Sequence, residues 1–159
     1  MDAITLKIEG DIIGKFDEAL RELPDAEKRA LYSAAAFLRD KGRESLISKL
    51  PKATQQNPKY KDTIADAVRF TKVDGATLKV HALGTQESGS GTYRARFFEE
   101  QTKDRYQKTW NGVKLKKKRF LGHVGPLHFF KPTMESNMGE AQNRMLRVME
   151  KFLENIITK

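Results

Sequence analysis

Cysteine is absent from the 159 residues, which excludes disulfides, thiolate nucleophiles and cysteine-built zinc sites together. Histidine is scarce, with only His81, His123 and His128 present. Their spacing fits no metal-ligand pattern, so structural roles are expected of them and no metal or other cofactor is expected. Long hydrophobic runs are missing too. No apolar stretch approaches the roughly eighteen residues of a membrane span, and the first residues lack the charged start and apolar run of a signal peptide. A chain made and kept in a cytoplasm, with no membrane partner, is the expectation. No internal repeat is visible.

Acidic residues are outnumbered, 21 against 30 lysines and arginines, giving a formal net charge of +9. The excess is local. Between Lys103 and Leu121 eight basic residues face Asp104 alone, a net +7, and the rest of the chain is nearly neutral. A 38% hydrophobic content with nine Phe, four Tyr and one Trp supplies one ordinary core, despite 32% charged residues and a mean hydropathy of -0.64. One domain over 1–159 is expected, with flexible loops at about 51–61 and 84–92 and a basic hairpin at 104–121.

Along the chain, Ile4, Leu6 and Ile8 alternate as a short strand ended by Gly10 and Asp11. Ile13, Phe16, Leu20 and Leu23 recur at helical spacing until Pro24, which is expected to stop that helix, with Asp25 as the N-cap of the next. The second helix, about Ala26 to Leu50, stripes Leu31, Ala34, Ala35, Leu38, Gly42, Ser45 and Leu46 along one face and ends at Pro51; its small residues suit close approach to a neighbour. Pro51 to Lys61 reads as an exposed loop, and Thr63 to Ala67 as one helical turn. Val68–Val73 and Ala76–Ala82 form a hairpin. A three-residue loop of Val73, Asp74 and Gly75 pairs Phe70 with Leu78 and Val68 with Val80. Gly84 to Thr92 has linker composition and no large side chain to anchor it. Tyr93 to Phe98 alternates as a half-buried strand.

Asn111-Gly112 is a type I′ turn dipeptide between two strand-forming runs. Pairing Trp110 with Val113 places Tyr106, Trp110, Val113 and Leu115 on one face, with Lys108, Lys117 and an Asp104–Arg119 cross-strand pair. The other face holds Arg105, Gln107, Thr109, Lys114, Lys116 and Lys118, with no apolar residue, and must meet water or an acidic partner. Thr133, after Pro132, starts a last helix striped by Met134, Met138, Ala141, Met145, Val148, Met149, Phe152 and Ile156, a row that reads as core or subunit contact. The element order gives the α+β class, an antiparallel sheet packed against a long N-terminal and a C-terminal helix.

Two segments resemble a known family, the tail-completion or head-tail joining minor tail components of tailed bacteriophages. One is the run Tyr93 to Thr102, where Ala95, Glu99 and Thr102 match and Gln101 stands where the family usually has glycine. The other is Phe129-Phe130-Lys131-Pro132, an aromatic, a basic residue and a proline opening the last helix. The resemblance implies a structural role for Ala95, Glu99, Thr102, Phe130 and Pro132. It also implies a virion subunit, synthesised in the bacterial cytoplasm, that joins a ring of six at the neck between the connector and the tail tube or tail terminator. No catalysis is implied.

From the residues alone, Arg105, Lys114, Lys116 and Lys118 are the candidates for contact with DNA or an acidic neighbour, against a merely solvated face. A small basic nucleic-acid-binding module using the same hairpin is the competing expectation. A metal-dependent nuclease or toxin drawn on Glu99, Glu100 and Asp104 is a third, weakened because strand alternation sends Glu99 and Glu100 to opposite faces.

Overall fold

The computed structural model describes residues 12–72, 77–82, 84, 89–100, 102–122 and 124–158, so the strand expected at Ile4 to Ile8 lies outside the described residues. Its longest element is helix α1 (Ile12–Lys49), 38 residues that run without a break through Pro24. The expected stop at Pro24, and with it the N-cap at Asp25, is corrected. Proline inside a helix removes one backbone hydrogen bond and crowds the preceding turn, but packing outweighs that cost here. Ala19 and Leu23 before the proline and Ala26 after it all pack on Phe152, Ile156 and Met149. Ala30, Ala34 and Leu38 prolong the same buried stripe at helical spacing, and the Asp25 carboxylate pairs with Lys28 at 2.9 Å. Leu20, placed by its spacing on the apolar stripe, is exposed.

Helix α4 (Phe130–Thr158) lies antiparallel along α1. Ala26 meets Phe152 and Ile156, Ala34 and Leu38 meet Ala141, and Ser45 reaches Thr133. Gly42 is a point of close approach: a Cβ there would stand 2.9 Å from Val68 Cγ1 and 3.2 Å from Met134 Cε of α4. The helix begins three residues before the expected Thr133, with Pro132 inside its first turn, where a missing N–H costs nothing. Of the methionine stripe, Ala141, Phe152 and Ile156 are buried, whereas Met138 is exposed.

Pro51 ends α1, and the Gln55 side-chain amide donates to the carbonyls of Ile47 (2.9 Å) and Leu50 (2.6 Å), satisfying groups a helix end leaves unpaired. Gln55 belongs to a single turn, α2 (Lys52–Gln55), inside the segment expected to be loop. A 3-10 turn (Ile64–Ala67) follows as expected, closed by a capping box of Thr63 and Asp66. Strands β1 (Arg69–Lys72) and β2 (Leu78–His81) pair antiparallel with Phe70 opposite Val80 and Lys72 opposite Leu78. This corrects the expected register by two residues, an even slip that leaves every side chain on its expected face. The turn itself lies outside the described residues.

The 84–92 segment is anchored at its far end, against expectation. Asp62 accepts from Ser90 Oγ (2.7 Å) and the Gly91 amide (2.8 Å), the Lys61 amide donates to the Gly89 carbonyl, and Thr92 is fully buried. The anchors are short hydrogen-bonding groups rather than large side chains. Burial pushes the Asp62 carboxyl up, but the hydrogen bonds from Ser90 and Gly91 and the charge of Arg69 outweigh it and hold the group below its usual range. The strand expected over Tyr93 to Phe98 is also corrected: Thr92–Ala95 is a 3-10 turn and Arg96–Glu99 the short helix α3. Ala95 enters the core with Leu46, Ile64, Val68 and Phe129, and Phe98 packs against it, a spacing of three that a helical turn provides and a strand does not. Strands β3 (Arg105–Trp110) and β4 (Val113–Gly122) form a second antiparallel ladder, so the β structure of this α+β fold is two separate pairs among the described residues.

Candidate functional site: the protruding hairpin and its base

The β3–β4 turn follows from two residues. Asn111 and Gly112 both have positive φ, 46° and 81°, as a type I′ turn demands, and Trp110 pairs with Val113. Thr109 then pairs with Lys114, but Gln107 pairs with Arg119 and Tyr106 with Phe120. Residues 115–118 of β4 therefore stand against Lys108 alone, an irregularity that slips the register by three. The expected Asp104–Arg119 pair is corrected accordingly: Arg119 sits opposite Gln107. An odd slip exchanges faces, so Phe120 joins Tyr106, Lys108, Trp110 and Val113 on one side. The Tyr106 and Phe120 rings lie 5.4 Å apart. Arg105, Gln107, Thr109, Lys114 and Arg119 share the other side.

Both sides face solvent. Tyr106 is 50% exposed, Trp110 55%, Val113 70% and Phe120 55%. An exposed aromatic cluster of this kind makes the face a candidate contact site. All four residues singled out for anion contact, Arg105, Lys114, Lys116 and Lys118, are exposed. Arg105 and Lys114 are brought onto one face, while Lys116 and Lys118 fall in the irregular stretch, whose pairing assigns them no face.

The base of the hairpin is held by a reciprocal pair of hydrogen bonds. The Thr102 amide donates to the Val124 carbonyl (3.1 Å), and the Val124 amide donates to Thr102 Oγ1 (2.8 Å). Next to it, the Glu99 carboxylate accepts from the amides of Phe130 (2.8 Å) and Lys131 (3.1 Å). An anion on the first free amides of a long helix satisfies them and complements the helix dipole. The Leu127 amide bonds the Phe98 carbonyl at 2.6 Å. Ser45 Oγ and Thr133 Oγ1 both donate to the Phe129 carbonyl, and Lys49 Nζ reaches the Leu127 and His128 carbonyls. The two segments singled out in the sequence, 93–102 and 129–132, are thus joined by Glu99, with Thr102 bonded to Val124 beside them, Ala95 and Phe130 in or against the core, and Pro132 in the first helical turn.

The two described histidines belong to no metal-holding group. His81 is on β2, half-buried, with Nδ1 lacking a hydrogen-bond partner. Burial, then the charges of Lys79 and Arg69, lower its pKa. His128 is exposed at a positive-φ bend, and His123 lies outside the described residues. The Glu99 carboxylate is taken up by the amides of Phe130 and Lys131. Among the described residues no group of three or more histidines and carboxylates is arranged to hold a metal, and no helix is long and apolar enough to cross a membrane. Sequence reasoning missed Phe120 as part of the aromatic face because a regular ladder places it on no pair with Tyr106; only the slip does. Compared with models of known protein families, with curated proteins and with solved structures, the chain has no match.

Proposed function

We propose that this chain is a non-enzymatic assembly subunit of a tailed-phage or prophage particle, a tail-completion or head-tail joining protein that forms a ring of six at the neck. In that role it sits in the virion between the connector and the tail tube or tail terminator. The observation that carries the reading is the Glu99 clamp on the first turn of α4. It joins the two segments that resemble the family, and with the Thr102–Val124 bonds it gives a stiff base from which an arm with solvent-exposed aromatics projects. An arm of this kind is suited to mate with another subunit. The test is deletion of the gene in assembling particles: filled heads and tails that fail to join, or tails of defective length, are expected, and normal particles would sink the reading.

A second reading is favoured by one specific observation, the exposed basic face with Arg105 and Lys114. It is that of a small nucleic-acid-binding module whose hairpin tracks a phosphate backbone. Its mark is duplex affinity that falls steeply as salt rises. The two readings are compatible if the basic face looks into the ring.

A further inference from the structure

The hairpin's aromatic face has no partner among the described elements, and the same chain carries an apolar groove elsewhere. It lies between α1, β2 and α4, has a volume of about 360 Å³, and is lined by Leu31, Ala34, Val80, Met138 and Met145 among others, with Gln142 the one polar lining residue. We infer that these two surfaces mate between copies: the aromatic face of one subunit's hairpin docks, head to tail, in the α1–β2–α4 groove of the next. The inference rests on the ring reading and supplies its subunit contact.

Three features single out a second copy as the occupant. The first is shape and chemistry. Interfaces are held by aromatic anchors seated in pockets of the partner; Trp110, beside the turn of the projecting arm, is such an anchor, with Tyr106 on the same face nearer the root, and the groove is concave and almost wholly apolar. The two surfaces differ, so the contact is heterologous, the kind that closes rings.

Charge is the second. The face carrying Trp110 also carries Lys108. Helical spacing sets Glu27 one turn before Leu31 on α1, so a carboxylate stands near one end of the groove.

Area is the third. Three aromatic residues of about 150–250 Å² each, half exposed, together with Val113, offer roughly 400–500 Å² per side, or about 800–1,000 Å² in all. That is the size of a weak, transient contact rather than of a stable dimer. Free copies then associate weakly, and the contacts reinforce one another when the ring closes on its platform.

The absence of native cysteine makes a clean test possible in the full chain. A Val113→Cys, Met138→Cys double variant is oxidised beside a Val113→Cys, Leu153→Cys control, whose second site is exposed on α4 about 22 Å further along the helix. The first is expected to cross-link roughly tenfold faster or more, since docking raises the local thiol concentration, and to give a ladder of multimers. Equal rates would overturn the contact. So would Val113→Cys alone dimerising as fast as the pair, since that means hairpin meets hairpin. Trp110 is the chain's single tryptophan, so its emission should shift to the blue as wild-type protein is concentrated. A shift produced only by added oligonucleotide would reassign the face to nucleic acid. If gene deletion abolishes head-tail joining while the cross-links fail, only this contact falls; if deletion leaves particles normal, the neck role falls whatever the cross-links show.

Discussion

A side chain at position 42 has no space to occupy, whereas one at position 139 has nothing within 4 Å. Both glycines are helical, so the pair separates propensity from packing. Gly139→Ala should stabilise the protein by about 0.5–1 kcal/mol, the ordinary helical gain. Gly42→Val should destabilise it by about 2 kcal/mol, because Val68 is fully buried and overpacking forces it to move. Urea midpoints at fixed slope measure both. At position 81 the residue scale meets pH. The folded state holds His81 below its ordinary pKa of 6.5, chiefly by burial, so at mildly acid pH the unfolded chain binds the proton more readily. Stability from this group is complete above about pH 6.5 and is lost as pH falls toward the folded value. His81→Gln should therefore show a smaller decline in urea midpoint between about pH 7.5 and 5.5 than wild type; equal declines would refute the assignment.

At the scale of elements, α1 tests how much packing outweighs backbone. Pro24→Ala restores a backbone hydrogen bond within a helix that already forms, and should raise stability by about 1–3 kcal/mol with a gain in helical circular dichroism. A loss would mean that the local backbone geometry set by the proline is what seats Leu23 and Ala26 together on α4. The β3–β4 arm makes the opposite case. Gly112→Ala strains a residue at φ 81° but touches no core, so amide protection over 105–122 should fall while the global unfolding midpoint stays within about 0.5 kcal/mol of wild type.

These elements also show what was legible beforehand. The Asn111-Gly112 turn was readable because left-handed backbone demands particular residues, and the α1 and α4 stripes because each spans many turns. Tyr93 to Phe98 misled because six residues with aromatics at odd positions satisfy alternation, while the decisive spacing, Ala95 to Phe98, is one interval of three. Pro24 misled because its local cost is plain in sequence and the Phe152 and Ile156 that offset it stand about 130 residues away. Glu99 was singled out through family resemblance, but its task, holding the amides of Phe130 and Lys131, required the two segments to be seen together. The bulge in β4 has no sequence mark that fixes its position, which is why Arg119 was assigned the wrong partner.

The whole molecule divides its surface unequally, with a nearly neutral helical body and an arm that carries most of the net charge of +9. Replacing Arg105, Lys114, Lys116 and Lys118 with glutamine should leave thermal stability within about 0.5 kcal/mol, since all four are solvent-exposed. If the arm meets duplex DNA, the slope of log affinity against log salt should drop by about 0.9 for every phosphate contact removed. An unchanged slope would free the arm from that role. The bolted roots of the arm at Thr102 and Val124 bring a last consequence. Thr102 follows the Glu99 that grips α4, and Val124 precedes the gripped first turn by a short stretch, so a pull on the tip would be delivered to the mouth of that helix. On the proposed assembly reading, the subunit would serve as a handle fixed to a beam: a neighbour holding Trp110 would also set the tilt of the α1–α4 pair.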